Sequence, residues 1–251
     1  MTFPIQISEE AGVRYLHFGS DWIQGAMRIA RPWALELDYT REMMACLLLR
    51  PDAAWPRRVL LIGLGAASLV KFLYRHRPQA RLTVVEIAPE VVMAARQYFK
   101  LPDDPARVRI DIADGVDWVS GSDARFDLIL VDGFDAEARA GGLDTLPFYG
   151  ACRARLSKAG LLSVNLLGRN RGFRASVGRI RAAFDERALV FPSCNDGNAI
   201  AFAAVGEPVD LPLSELNAHA AALRKSTGLN LLPTLARLTQ RQAFPGGRLK
   251  L

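Results

Sequence analysis

Cysteine is scarce in this chain, with three in 251 residues. Cys46, Cys152 and Cys194 are far apart, form no CxxC pair and are odd in number, which argues against a disulfide framework. A reducing compartment, the cytoplasm, is the expectation. Histidine is equally sparse, and His17, His76 and His219 stand alone. No His/Cys set has metal-ligand spacing, so no metal is expected. No apolar run approaches the length of about 18 residues that reads as a membrane span. The N-terminus has no basic stretch leading into an apolar one, so neither signal peptide nor membrane attachment is expected. Repeats and low-complexity segments are missing too. The charge is +6 and the pI about 9.5, but the arginines are scattered. Their densest run, Arg169, Arg171, Arg174, Arg179 and Arg181, reads as a solvated helix face. No aromatic stripe interleaves with them to stack bases, so no nucleic-acid partner is expected.

Half of the residues are hydrophobic, enough for a sizeable core. Two stretches near the N-terminus, Val13–Phe18 and Trp22–Ile29, alternate around Gly19-Ser20-Asp21 and predict a β-hairpin. Residues 38–50 switch to helical spacing, with Met43, Met44, Leu47 and Leu48 on one side. Pro51, Asp52 and Pro56 then form a linker, and a domain boundary is expected there. From Arg58 strands and helices alternate. Strands are predicted at Val59–Ile62, Leu82–Glu86, Val108–Ile112, Leu128–Asp132 and Gly160–Leu166, and helices near 67–76, 89–99, 115–119, 145–156 and 172–184. The strands are apolar nearly throughout, as strands covered on both faces are. Ala188–Phe191 and Ala199–Val205, joined by a turn at Asn195-Asp-Gly-Asn198, predict an antiparallel hairpin at the sheet edge. The pattern implies a doubly wound, mostly parallel, seven-stranded α/β sheet. Three units are expected: 1–55 with the hairpin and a helix, 56–207 with the sheet, and 208–251 with helices near 213–226 and 231–241.

The ends of these strands carry the chemistry. Val59-Leu-Leu-Ile-Gly63-Leu-Gly65 runs from a strand into a glycine turn, with Gly63 for the bend and Gly65 for close approach of a ligand. Glu86 ends the second strand 23 positions after Gly63, the spacing of an acid that accepts from two ribose hydroxyls. Asp114-Gly115 ends the third. Its carboxylate can accept from an adenine amine or cap the helix that follows, and Gly115 lets a ring lie close. Asp132 and Asp135 follow the fourth, where two acids on one loop can hold a cation or accept a proton. A divalent metal would need a third ligand that is not evident, and Asp135 also suits a turn. Ala136–Leu143 reads either as a mobile lid over the site or as a disordered connection. Tyr39 can reach over the crevice or pack beneath the hairpin. In an open parallel sheet the ligand sits outside the carboxyl ends of the strands, so the acids should line one crevice, suited to a positively charged nucleoside.

Together, Val85-Glu86-Ile87-Ala88-Pro89-Glu90-Val91, Asp114-Gly115 and Val131-Asp132-Gly133-Phe134-Asp135 resemble the spermidine synthase family of aminopropyltransferases, over roughly Gly12 to Val205. The resemblance implies the Rossmann-like fold of class I S-adenosylmethionine-dependent methyltransferases. It implies that decarboxylated S-adenosylmethionine, or S-adenosylmethionine, is a co-substrate, with no permanently bound cofactor. It gives Glu86 the ribose, Asp114-Gly115 the adenine, Asp132 the role of catalytic acid/base, and Asp135 and Tyr39 contacts to a small amine acceptor such as putrescine. A homodimer is the family expectation. The chain departs from the family pattern at Ala66, where the glycine loop usually carries an aspartate that grips the donor's amine. It departs also at Thr40, where Gln or His is common, and at Ser193-Cys194-Asn195, where a late tyrosine is missing. The alternatives on the same fold are a methyltransferase and a non-catalytic nucleoside-binding homologue. A nicotinamide-dependent dehydrogenase is disfavoured because Asp114 and Asp132 would crowd a pyrophosphate.

Overall fold

The computed structural model describes residues 4–20, 22–168, 172–194, 197–241 and 243–251. At its centre is a seven-stranded sheet: β4 (Arg58–Ile62), β5 (Arg81–Glu86), β6 (Val108–Ile112), β7 (Phe126–Val131), β8 (Leu156–Leu167), β9 (Ala188–Val190) and β10 (Asn198–Ala204), in the order β6-β5-β4-β7-β8-β10-β9. Pairings from β6 through β8 are parallel, and β10 runs antiparallel to both its neighbours. The expected doubly wound sheet is therefore present, with the β9–β10 hairpin at its edge. Asn195 and Asp196 of the predicted hairpin turn lie outside the described residues, as do Asp21, Arg169 and Arg171.

Side chains alternate between the two faces of each strand. Val59 and Leu61 join one hydrophobic cluster while Leu60 and Ile62 join the other. Both faces are covered, which is why these strands are apolar without a break. Helices α3 (Ser68–His76) and α4 (Pro89–Tyr98) contribute to the first cluster, and α5 (Gly115–Gly121), α6 (Leu146–Ala154) and α7 (Phe173–Ala183) to the second. Pro89 occupies the first turn of α4, where its missing N–H leaves no bond unmade.

Before the sheet, the predicted hairpin is a three-stranded antiparallel sheet: β1 (Ile5–Glu10), β2 (Val13–Phe18) and β3 (Gly25–Arg28). β1 escaped the sequence reading because only Ile5 and Ile7 point inward before Ser8-Glu9-Glu10 turns the strand polar. Its turn, Ala11-Gly12, has φ of +48° and +74°, the two positive values of a type I′ hairpin, written without the usual Asn. The predicted helix over 38–50 is divided into α1 (Asp38–Met43) and α2 (Cys46–Leu49). Between them the chain tightens to i−3 bonds, with Met44 N–H donating to Arg41 O at 3.1 Å and Ala45 N–H to Glu42 O at 2.9 Å. The segment is not buried on one side only, since every residue from Met43 to Leu49 is buried. C-terminal helices α8 (Leu213–Thr227) and α9 (Leu232–Gln240) cover its outer side: His219 Nδ1 meets Leu48 O at 2.9 Å, and Arg237 pairs with Glu42.

The solvated arginine face is also revised. Arg179 on α7 forms an ion pair with Asp144, which accepts from Ser176 Oγ at 2.6 Å and from Tyr149 OH at 2.9 Å. This cluster fastens α7 to the start of α6.

Candidate active site

In the strand order, β5 and β6 lie to one side of β4, and β7 and β8 to the other. The chain reverses direction of winding between β4 and β7, and the crevice opens there. A cavity of about 650 Å³ occupies it, a size suited to a small-molecule site. Tyr39, Gly63, Gly65, Glu86, Asp114, Gly115, Asp132 and Asp135 all line it.

The glycine turn is shaped by steric need. Gly63 has φ +93°, and a Cβ there would lie 2.1 Å from the Asp132 carbonyl oxygen. Only glycine lets β4 and β7 end side by side. At Gly65, φ is +49°, and a Cβ would approach Gln24 O at 3.1 Å. The N-terminal sheet therefore presses on the turn from outside. The same contact decides the fate of Ala66. A Cβ on Gly25 would lie 2.6 Å from Ala66 Cβ, and Ala66 is 3% exposed and absent from the cavity wall. Gly25, opening β3, has closed over the position where an aspartate would otherwise project.

Glu86 ends β5 and is buried. Its Oε2 accepts from Leu64 N–H at 2.9 Å and its Oε1 from Ala88 N–H at 3.0 Å. Burial raises its pKa above the ordinary carboxylate value, against these backbone donors. The side chain lines the cavity. Asp114 caps α5, its Oδ1 accepting from Val116 N–H at 2.7 Å and Asp117 N–H at 3.3 Å. Capping uses Oδ1, and among the described residues no hydrogen bond engages Oδ2. Gly115 is needed for space, since a Cβ would sit 2.6 Å from Ile62 Cγ2 and 3.2 Å from Leu143 Cδ2.

Asp132 follows β7. Tyr39 OH donates to its Oδ2 at 3.2 Å and Asn165 Nδ2 to its Oδ1 at 2.8 Å. Burial raises the carboxyl pKa, and these two donors oppose the shift. Asn198 Nδ2 donates in turn to Asn165 Oδ1 at 2.9 Å. A polar relay thus crosses the sheet from β7 through β8 to β10. Tyr39, which the sequence left open between packing and reaching the crevice, does reach it. Asn165 and Asn198 also line the cavity and were missed. An asparagine inside the apolar run Leu161–Leu167 was the signal for the first, whereas Asn198 read as a turn residue. Asp135 lies one turn further on, its Oδ1 accepting from Glu137 N–H at 3.0 Å and Arg139 N–H at 2.8 Å, its Oδ2 from Arg139 Nε at 2.9 Å. These partners hold its carboxyl below the usual range even against desolvation.

The arrangement sorts by strand. The part of the cavity between Asp114, Glu86 and the glycine turn lies over β6, β5 and β4. Asp132, with Asp135 further along the same loop, lies over β7. A profile of the spermine/spermidine synthase domain matches residues 37–165, from the helix that carries Tyr39 to Asn165. This chain belongs to the spermine/spermidine synthase family. The polyamine aminopropyltransferase of Neisseria meningitidis is 34% identical over 237 residues, 94% of this chain and 89% of that protein. The family member shares its fold with a probable spermidine synthase from Corynebacterium glutamicum, at TM-score 0.72 and 21% identity over 90% of this chain and 91% of the other. It shares it also with human methyltransferase-like protein 13 in complex with SAH, at TM-score 0.68 and 24% identity over 76% and 93%. Among the described residues no group of three His, Cys, Asp or Glu could hold a metal ion, and no helix is long and apolar enough to cross a membrane.

Proposed function

We propose that this chain transfers an aminopropyl group from decarboxylated S-adenosylmethionine to a primary amine such as putrescine, releasing methylthioadenosine. The observation that carries the reading is Asp132, a half-buried carboxylate just past β7, held from both sides by Tyr39 and Asn165. It shares one cavity with an acid on β5 and the Asp114 carboxylate after β6. The family and its aminopropyltransferase relatives agree with it.

In this reading Glu86 accepts from the ribose hydroxyls, and Asp114 Oδ2 accepts from the adenine amine above Gly115. The sulfonium places the reacting carbon over β7. An alkylamine with a pKa near 10.4 arrives protonated. Asp132 takes one proton, and the freed lone pair attacks the carbon next to sulfur. The C–N bond forms as the C–S bond breaks, and the electron pair stays on sulfur as a neutral thioether. Asp132 is suited to this because burial raises its proton affinity while two fixed donors keep its oxygens oriented. Orientation in line with the leaving sulfur supplies much of the remaining rate.

Asp132→Asn tests the assignment. The amide keeps the shape but cannot take the proton, so we expect methylthioadenosine release to fall by about 10²–10⁴, with methylthioadenosine binding by calorimetry retained. A variant as active as the parent would remove Asp132 from its role.

A further inference from the structure

The acceptor side of the cavity already contains a cation. Arg139 lines the cavity and is paired with Asp135 through Nε at 2.9 Å, while its own backbone N–H reaches Asp135 Oδ1 at 2.8 Å. The turn that makes this possible is built for it. Asp135 N–H donates back to Arg139 O at 3.0 Å, and Ala138 takes a left-handed φ of +59° to bring residue 139 round, a conformation that is unfavourable for alanine. At the far end of the same segment Leu143 is fixed over Gly133 and Gly115. Residues 135–139 therefore form a closed turn around Asp135, next to the segment that carries Leu143.

We infer that Arg139 is an internal competitor for the acceptor amine: its guanidinium occupies, in the free protein, the seat on Asp135 that the acceptor's far ammonium takes on binding. This rests on the reading of Asp135 as an acceptor-binding acid. Exchange of one cation for another leaves the charge balance at Asp135 unchanged, so its carboxylate keeps a cationic partner at every stage. The displaced guanidinium also keeps a partner, since Nη2 already contacts Glu137 Oε2 at 2.8 Å. Arg139 is 69% exposed, so solvent screens the pair and releasing it costs little. Amines lacking a second ammonium cannot replace the guanidinium. Arg139 thereby raises the KM of di- and polyamines, which must displace it, and leaves that of monoamines untouched.

The test is steady-state release of methylthioadenosine with 1,4-diaminobutane and with butylamine as acceptors. Arg139→Gln removes the competitor. The expected result is an about two- to fivefold lower KM for the diamine, the size of an exposed ion pair, with the change on KM rather than kcat and none on the butylamine KM. Arg139→Lys should restore the parental value. In an Asp135→Asn background the same Arg139→Gln step should leave KM unmoved, because the shared seat is gone. A KM that stays the same or rises in Arg139→Gln overturns the inference, as does an equal effect with Asp135→Asn present. Should the parent release no methylthioadenosine with any amine, the aminopropyl-transfer reading falls. The inference is then read by calorimetry of 1,4-diaminobutane into methylthioadenosine-loaded protein: tighter binding by Arg139→Gln supports it, and equal binding overturns it.

Discussion

At the scale of single residues, the candidate site follows from where carboxylates stand relative to strand ends. Glu86, Asp114, Asp132 and Asp135 could be placed from sequence because a strand of known direction delivers its last residue to one rim of the sheet. Asn165 was harder, since it lies inside a strand and its value depends on what the neighbouring strand brings opposite it: β7 and β8 pair Val131 with Val164, which sets Asn165 beside Asp132. Ala66 shows the reverse limit. Its sequence position marks a lost acid, but only the fold reveals that Gly25 fills the space. The Asn165–Asp132 bond has a consequence for pH. In the proposed reaction Asp132 must be ionised to accept a proton, and burial raises its pKa above the ordinary 3.8. Asn165→Leu removes one donor that stabilises the ionised form, so the pKa moves further up. The acid limb of the kcat/KM profile should then shift to higher pH by about one unit, the worth of a hydrogen bond to a charged group. An acid limb left in place would show that Asn165 does not bear on Asp132.

At the scale of elements, alternating strands and helices were legible because double burial leaves an unbroken apolar run and each crossover needs its helix. The terminal segments were less so. β1 is half polar, and α1 and α2 lose their one-sided pattern because α8 and α9 bury their outer face. That cover is anchored by Arg237 on α9, which pairs with Glu42 and donates to Ser193 O at 3.0 Å. Nothing in the spacing of residues 42 and 237 announces such a contact. Glu42 is buried, and burial pushes its carboxyl pKa up. Arg237→Ala would leave it without its cation. Breaking a buried pair costs about 3–5 kcal/mol, and Arg237, at 24% exposure, is partly solvated already. We expect a loss of about 2–4 kcal/mol in urea unfolding, and a largely retained value with Arg237→Lys. A loss below about 0.5 kcal/mol, the range of an ordinary surface change, would mean that the C-terminal helices are held by apolar contact alone.

At the scale of the whole molecule, stability depends on pH through groups that the core holds in the wrong state for water. Lys71 on α3 is 1% exposed, and its Nζ has no hydrogen-bond partner among the described residues. Burial lowers its pKa to about 7. An unfolded lysine keeps its proton to near 10.4, so above pH 7 the unfolded chain binds more protons and stability rises with pH, by at most about 1.4 kcal/mol per unit. As pH falls through 7 the folded lysine also protonates, and the loss levels off. The buried thiols act in the opposite sense. Burial raises Cys46 to about 12 and Cys152 higher still, whereas an unfolded thiol ionises near 8.5. Above that value the folded chain holds two protons that the unfolded chain has released, against one held by the unfolded lysine, and stability declines. The urea midpoint should therefore peak near pH 8.5 under reducing conditions. Lys71→Met keeps the apolar stem and removes the charge. It should raise stability at pH 7 by on the order of 2–4 kcal/mol and flatten the curve between pH 7 and 8.5, while the decline above 8.5 stays. A parent curve already flat over that interval, or a variant with the same slope, would mean that Lys71 finds water or a partner that keeps it charged in the fold.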